Sequence, residues 1–486
     1  FDTPYQTDLA LADKEVNSEA HQQVALQASR EGLVLLKNAN NLLPLDKSQI
    51  KRIAVCGPNA DEASFALTHY GPVAVEVTTV LEGIKRQVKE GTKVTYTKGC
   101  DLVDANWPES EIISYPLTAE EKTEIQKAVD NVKESDVAVV VLGGGIRTCG
   151  ENKSRTSLDL PGHQQQLLEA IVATGKPVIL VLINGRPLSI NWADKFVPAI
   201  LEAWYPGSQG GTAIAEALFG DYNPGGKLTV TFPKTVGQIP FNFPAKPASQ
   251  VDGGQTPGMK GNQSRINGPL YPFGYGLSYT TFEYSNLQLS SPVITDKEPV
   301  TVTCKIKNTG TRSGDEVVQL YTRDVISSVT TYEKNLRGFE RVHLEPGETK
   351  EVSFQLLPRD FQLLNKDNHW VVEPGMFQIM IGASSEDIRL KKGLEIRAYG
   401  QASANEIIES DPRDFISASK NKSHILHVVD GDYSTTWKGE KGEYISFELA
   451  ENAKVDRINV AWKNAEAGTH YEIQISSGGG QFLPVQ

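Results

Sequence analysis

The chain has 486 residues, of which 39% are hydrophobic and 22% charged, and its formal net charge is -12. One hydrophobic core does not grow to this length, so about three domains are expected. The acidic balance, with no clustered stripe of Lys and Arg, argues against a nucleic-acid partner. No apolar run approaches the ~18 residues that a membrane-spanning helix needs.

Four cysteines occur, Cys56, Cys100, Cys149 and Cys304, without CxxC spacing or a Cys/His metal pattern. They are too few for a disulfide framework, so we expect small buried apolar residues and predict no metal or other cofactor. The chain opens at Phe1 without Met or an apolar leader. A trimmed chain, a mature product and a fragment would each begin in this way.

The first part of the chain alternates helical and strand patterns. Residues 1–15 are expected to form a connector, and apolar spacings of three and four predict a helix face made of Ala25, Ala28, Gly32, Leu35 and Leu36. A strand is predicted at Arg52–Cys56. Thr118, with Glu121 three residues later, forms a capping box that predicts the start of a helix reaching residue 133.

Continuous apolar runs follow at 137–142, 177–183 and 199–203, separated by helical segments from about 163 and at 210–219. Strands that are apolar throughout, rather than at alternate positions, are typical of a parallel sheet covered on both faces. Residues 16–243 are therefore predicted to form one α/β domain, with a mainly parallel sheet and helices on both faces.

The loop that follows strand 137–142 is the first candidate for chemistry. It begins at three glycines, 143–145, carries Glu151 among small and polar residues, and closes at 158–161. In an open α/β sheet, ligands bind beyond the carboxyl ends of the strands. A second loop on the same rim is expected at 68–71. The alternatives are a solvated glutamate at Glu151 and a structural, hydrogen-bonded histidine at His69.

Residues 244–283 are expected to form a long loop or linker, because 246–268 are rich in Gly, Pro, Ser and Gln and lack periodicity. From residue 300 the apolar period changes to two, which predicts an antiparallel sandwich over 284–397. Short strand patterns continue over 403–486, too few for a second closed sandwich. Asp430 and Asp432 offer oxygen ligands for Ca²⁺, although an acidic turn is the commoner explanation of such a pair.

Six stretches, taken together and in order, resemble glycoside hydrolase family 3, the β-glucosidases and β-xylosidases. They are REGLVLLKN at 30–38, IAVCGPNA at 53–60, SRTSLDLPG at 154–162, AWYPG at 203–207, LFGDYNP at 218–224 and YPFGYGLSYT at 271–280. NLRGFERVHLEPGETK at 335–350 and WVVEPG at 370–375 resemble the fibronectin type III-like domain of the same family. VDGD at 429–432, followed by STTW, is similar to the start of a discoidin-like (F5/8 type C) carbohydrate-binding module.

The resemblance implies a (β/α)8 barrel before this α/β domain, and that barrel supplies the nucleophilic aspartate. Residues 1–5 are similar to the connector that follows the barrel, so the barrel is an expected partner from the same protein, and the chain alone is expected to be inactive. Aligning Arg155 with the arginine of the family's Glu-Gly-x-Asp-Arg-like loop places Glu151 at the acid/base position. Ser154 departs from the aspartate that is usual there. Arg155, His69 and Tyr70 are the candidate substrate-binding residues.

The resemblance therefore predicts the C-terminal part of a retaining exo-acting β-glycosidase that removes terminal β-D-glucosyl residues from oligosaccharides. The alternatives are a β-xylosidase of the same family and a non-catalytic carbohydrate-binding fragment. A dinucleotide-binding protein is disfavoured because the glycines at 143–145 do not form GxGxxG before a helix. The expected location is periplasmic or secreted.

Overall fold

The computed structural model describes residues 8–64, 75–246 and 268–399, together with four short strands, Ile416–Ala418, Ile445–Phe447, Gln474–Ile475 and Leu483–Pro484. His69 and Tyr70 lie outside the described residues, as do most of the expected loop at 246–268 and both Asp430 and Asp432. The expected module at 403–486 is described only at those short strands.

The first domain contains seven α-helices and six strands within the described residues. The helices are α1 Leu9–Glu15, α2 Glu19–Gly32, α3 Val80–Gln87, α4 Ala119–Lys133, α5 Gln164–Val172, α6 Asn191–Phe196 and α7 Gly210–Phe219. The strands are β1 Val34–Asn38, β2 Arg52–Cys56, β3 Lys93–Thr97, β4 Val137–Gly143, β5 Val178–Ile183 and β6 Ala199–Trp204.

The six strands form one sheet in the order β1-β6-β5-β4-β2-β3. Every pairing is parallel except that of β1 with β6, which is antiparallel. Alternate residues of the buried strands enter two separate cores. One core packs against α2, α3 and α7, and the other packs against α4, α5 and α6. The predicted fold class is confirmed for this domain.

The helix predicted through Leu36 was wrong in its last part. Helix α2 ends at Gly32, and Leu35 and Leu36 lie in β1, where both are fully buried. Every residue from Leu33 to Leu36 is apolar. As a strand paired with β6, this run buries side chains in both cores, whereas a helix would bury only one of its faces. By contrast, the predicted capping box is confirmed, with Thr118 and Glu121 capping α4 reciprocally.

Helices α3 and α7 approach each other backbone to backbone. A Cβ atom added at Gly83 would overlap the carbonyl oxygen of Gly211, and a Cβ added at Gly211 would overlap that of Thr79. Only glycine on both helices permits this separation, since any larger residue forces the helices apart. This contact fixes the helical layer over the first core.

Strand β6 carries a fully buried carboxyl group, that of Glu202. The Trp204 amide donates to Glu202 Oε1 at 2.8 Å, and the Asn184 side-chain nitrogen lies at the same distance when its amide is oriented to donate. Burial raises the pKa of Glu202 well above its usual value, against the opposing effect of these two hydrogen bonds. The carboxyl group ties the end of β5 to the end of β6, and burial favours its protonated form.

The second domain is a mainly antiparallel sandwich, as the change of apolar period predicted. Its strands are β7 Phe282–Leu289, β8 Val293–Thr295, β9 Val300–Asn308, β10 Gly314–Asp324, β11 Asn335–Leu344, β12 Thr349–Leu356, β13 Leu363–Leu364, β14 Trp370–Val371, β15 Gly375–Gly382 and β16 Ile388–Arg397. One sheet has the order β11-β10-β15-β16-β8 and the other the order β12-β9-β7, with a small hairpin of β13 and β14. Strand β8 pairs with β16 in parallel, and the other pairings are antiparallel.

A polar seam joins the two domains. Lys227 of the first domain pairs with Glu316 of the second at 2.9 Å, and both side chains are nearly buried. Arg341 donates to Asp315 Oδ2 at 2.9 Å and to the Tyr222 hydroxyl at 2.8 Å. These contacts join residues of the LFGDYNP stretch and the residues after it to strands β10 and β11 of the sandwich.

We expect Gly83→Ala to lower the free energy of unfolding of the first domain by about 1–3 kcal/mol, because overpacking at Gly211 outweighs the helix propensity of alanine. Gly32→Ala, at the end of α2, is the matched control because open space surrounds that position. Urea unfolding of both variants makes the comparison. An equal effect of the two substitutions would contradict the close helix contact.

Glu202 makes a prediction about pH. The native state keeps its proton where the unfolded chain, with an ordinary glutamate pKa of 4.5, has lost it. The free energy of unfolding of the wild type should therefore fall relative to that of Glu202→Gln as the pH rises above 4.5, by about 1.4 kcal/mol per pH unit, until the native pKa is reached. Urea unfolding at a series of pH values measures this slope, and parallel curves would show that Glu202 is ionised in the native state.

Candidate functional site

The candidate site lies at the carboxyl edge of the parallel sheet, where β2, β4 and β5 end side by side. Strand β4 ends at Gly143, whose φ of 129° is unfavourable for other residues. A Cβ at this position would also overlap the Ile183 carbonyl oxygen at the end of β5. Glycine is therefore required for the chain to leave the sheet here.

Two buried side chains hold this strand end. The fully buried Gln164 accepts from the Gly143 amide at 2.8 Å and donates to the carbonyl oxygens of Gly143 and Leu102, at 2.9 and 2.8 Å. Asn59 donates to the Gly144 oxygen at 3.0 Å and to the Ile183 oxygen at 3.1 Å. Backbone groups that have lost their strand partners are thus satisfied, and the loop has a fixed origin.

The next turn is closed by Thr148, whose buried hydroxyl accepts from the Gly145 amide at 3.0 Å. Arg186, from the loop after β5, donates to the carbonyl oxygens of Thr148 and Lys153 at 2.9 and 3.2 Å. One guanidinium therefore holds the backbone on both sides of Glu151.

Glu151 itself is exposed on a turn after β4. Its neighbours Gly150 and Asn152 both have positive φ, 132° and 59°. Asparagine is, after glycine, among the residues that adopt this region most readily, so the sequence Gly-Glu-Asn suits a tight reversal around the glutamate. The structure thus places Glu151 on the loop, and at the edge of the sheet, where the sequence predicted it.

Arg155 does not extend toward solvent. Its side chain is 3% exposed and forms an ion pair through Nε with Glu111, whose side chain is 5% exposed. Arg155 also donates to the Asp159 oxygen at 3.0 Å, and its guanidinium lies 5.1 Å from the centre of the Trp107 ring. All three contacts are with other residues of the protein, and the role of Arg155 in substrate binding stays a prediction.

A tyrosine lies beneath the loop. A Cβ at Gly185 would be 2.5 Å from Tyr205 Cε2 and 2.6 Å from Cys149 Sγ, so the loops after β4, β5 and β6 meet at this point. Burial raises the pKa of the Tyr205 phenol, and the neighbouring Cys149 raises it further. Tyr205 is therefore a neutral hydroxyl at neutral pH.

The sequence did not indicate Glu111, Gln164 or Arg186. Glu111 lies in a short 3-10 helix, Glu109–Glu111, within the long connection between β3 and α4, and no local pattern distinguishes it from other surface glutamates. Gln164 could have been noticed as the polar residue that opens an otherwise apolar helix face. Their roles depend on contacts between residues that are distant in the chain.

Among the described residues, no group of three or more His, Cys, Asp or Glu side chains is arranged to hold a metal ion. The four cysteines are free thiols, three of them buried. Within the same residues, no helix combines the length and the apolar character that crossing a membrane requires.

Comparisons with known proteins agree with this architecture. Residues 33–279 match the model of the glycosyl hydrolase family 3 C-terminal domain, and residues 316–385 match that of the fibronectin type III-like domain. A beta-xylosidase of Formosa agariphila is 45% identical over 385 residues, covering 78% of this chain and 50% of that protein. A periplasmic beta-glucosidase of Salmonella typhimurium is 40% identical over 394 residues, with the same two coverages.

Solved structures give the same result. A β-glucosidase from Erythrobacter marinus has 38% identity and a TM-score of 0.71, covering 80% of this chain and 52% of that one. A β-glucosidase from Listeria innocua in complex with isofagomine has 32% identity and a TM-score of 0.70. The chain spans about half the length of the curated relatives it matches. Because the family model covers about half of the chain, from β1 to the end of the linker before the sandwich, the chain belongs to glycosyl hydrolase family 3.

Proposed function

We propose that this chain supplies the acid/base carboxyl, Glu151, of a retaining exo-acting β-glycosidase that removes terminal β-D-glucosyl residues from oligosaccharides. The observation that carries the proposal is the exposed Glu151 on a loop that leaves the carboxyl edge of the sheet and is held on both sides by Arg186. The relatives named β-glucosidase and β-xylosidase support the same reaction class.

The chemistry needs a second carboxyl. In a retaining glycosidase, one carboxyl group protonates the leaving-group oxygen while the other attacks the sugar, and the two lie about 5–5.5 Å apart. The second carboxyl in this proposal is an aspartate of a barrel domain in the longer protein, since the relatives are about twice as long as the match. This chain alone would then be inactive.

Two alternatives remain open. The Formosa agariphila relative, named a beta-xylosidase, supports β-xylosyl substrates, and kcat/KM of the full-length protein on matched aryl β-glucoside and β-xyloside separates the two sugars. A non-catalytic carbohydrate-binding role is the second alternative. Sugar binding without any turnover by the full-length protein would favour it.

The remaining parts of the proposal concern location and the tail. We place the protein in the periplasm or outside the cell, which the relative named periplasmic beta-glucosidase supports and which fractionation of producing cells tests. We assign residues 403–486 to a partial discoidin-like module. Loss of oligosaccharide binding in a chain that ends before residue 403 would support that assignment, and unchanged binding would contradict it.

In the full-length protein, Glu151→Gln should reduce turnover of an unactivated disaccharide by roughly 10²–10⁴-fold, because it removes proton transfer to the leaving group. An aryl glycoside whose leaving group departs without protonation should lose less in the glycosylation step. Added azide should restore turnover of the aryl substrate, since azide attacks the glycosyl-enzyme without a base. Steady-state kinetics on both substrates, with and without azide, measures these effects.

Glu120→Gln, at an exposed glutamate in the first turn of α4, is the matched control and should leave both activities unchanged. Equal losses of Glu151→Gln on both substrates, without azide rescue, would remove Glu151 from the mechanism.

A further inference from the structure

We infer that Glu111 is the positioning residue of the Glu151 loop: its buried carboxylate holds Arg155 and Thr156 and thereby fixes the segment that carries the acid/base group. The effect on turnover rests on the proposed function of Glu151. The effect on the loop itself does not, because it follows from contacts between described residues alone.

Both oxygens of Glu111 are used on one short segment. Oε1 pairs with Arg155 Nε, while Oε2 accepts from the Thr156 amide at 2.8 Å and from the Thr156 hydroxyl at 3.0 Å. A carboxylate that binds a guanidinium, an amide and a hydroxyl together fixes both position and orientation. The partners are four and five residues after Glu151.

The pair is shielded from water, with its side chains 3% and 5% exposed. The Trp107 ring covers the Arg155 guanidinium at 5.1 Å. A charge left alone in such surroundings is strongly unfavourable, so removing Glu111 should release Arg155 toward solvent rather than leave it buried and unpaired. Removing Glu111 also removes both of its hydrogen bonds with Thr156, so the backbone at this point loses its anchor.

The connection that carries Glu111 is held by local hydrogen bonds, and the Glu111 amide itself donates to the Pro108 carbonyl oxygen at 3.2 Å. The Trp107 amide donates to the Asp104 oxygen at 3.3 Å, and Asp104 Oδ1 accepts from the Asn106 amide at 2.7 Å. A Cβ at Gly162 would be 2.8 Å from the Asp104 amide nitrogen, so the end of the Glu151 loop also packs directly on this connection. The connection after β3 is therefore a fixed base, and Glu111 transmits its position to the loop after β4.

Arg186 holds the loop before and after Glu151, and Glu111 holds it two to three residues beyond the second Arg186 contact. Arg186 binds the carbonyl oxygens of Thr148 and Lys153, and Glu111 binds Arg155 and Thr156. Glu151 is thus confined within a segment fixed before and after it. Such confinement matters for a glycosidase because a misplacement of about 1 Å in a reacting group costs roughly 10²-fold in rate.

The first experiment uses this chain and does not depend on activity. Brief tryptic digestion with peptide mapping compares cleavage after Arg155, whose side chain is buried, with cleavage after Lys366, which is exposed in a turn of the sandwich, as the internal reference. In Glu111→Ala, the rate of cleavage after Arg155 relative to that after Lys366 should rise at least about 10-fold, since a buried site must open before it is cut. Glu111→Gln keeps one side-chain oxygen for the two hydrogen bonds from Thr156 but removes the negative charge that pairs with Arg155. It should therefore give a smaller rise in the ratio.

Glu109→Ala is the matched control, because Glu109 lies in the same 3-10 helix but is exposed, and its carboxylate accepts from the Tyr115 hydroxyl at 2.8 Å rather than from the Glu151 loop. Its cleavage ratio should equal that of the wild type. An unchanged ratio in Glu111→Ala, with thermal melting showing a folded chain, would overturn the inference. If Glu111→Ala does not fold, the test is made with Glu111→Gln. An unchanged cleavage ratio in that variant would likewise overturn the inference.

The second experiment uses the full-length protein. If Glu111 positions Glu151, Glu111→Gln should lower kcat on a disaccharide by at least about 10-fold and should spare an activated aryl glycoside, whereas a general loss of folding would reduce both equally. In the Glu151→Gln background, Glu111→Gln should have little further effect, because the group it positions no longer transfers a proton. Fully additive losses would contradict positioning.

The two proposals fail differently. If Glu151→Gln shows no dependence on the leaving group, the proposed function fails, while the tryptic ratio still decides whether Glu111 holds the loop. If Glu151→Gln behaves as an acid/base variant and Glu111→Gln changes neither the ratio nor kcat, only the positioning role fails.

Discussion

The structure depends on how its apolar strands end. Strands buried on both faces leave backbone groups without partners where the sheet stops, and such groups must be satisfied inside the protein. Gln164 and Asn59 do this at the end of β4, and the buried Glu202 does it between β5 and β6. Because these side chains fix the strand ends, the loops beyond them start from defined positions. A reactive group on such a loop is therefore held in a defined position relative to the sheet.

The local sequence was sufficient for most of the fold. Continuous apolarity in β4 and β5 predicted a covered parallel sheet, and alternation in β9 predicted the sandwich, because each pattern reflects how many faces of a strand are buried. The capping box of Thr118 and Glu121 was readable because both partners lie within one helical turn. The same reasoning failed at Leu35 and Leu36, which continue the helical spacing of three and four but also belong to a short apolar run. Such a run suits a strand as well as a helix, and the pairing of β1 with β6 decides for the strand.

The candidate site was predictable only in part. Glu151 could be placed because it follows a strand end and glycines, which are local features. The partner of Arg155 could not, since Glu111 is 44 residues away in sequence and its burial arises from the packing of two loops. The same limit applies to Arg155 itself: the arginine is visible in the sequence, but the direction of its side chain is decided by tertiary contacts with Glu111, Asp159 and Trp107.

The seam between the domains has a consequence for protein engineering. Lys227, Asn223 and Tyr222 of the first domain meet Glu316, the Ser313 carbonyl and Arg341 of the second. A chimera that joins this α/β domain to the sandwich of a relative at residue 280 would separate these partners, and Lys227 would face a foreign surface. The unit to exchange is therefore the sandwich together with the segment at 222–227. The side chains of that segment hold the sandwich in its orientation against the first domain.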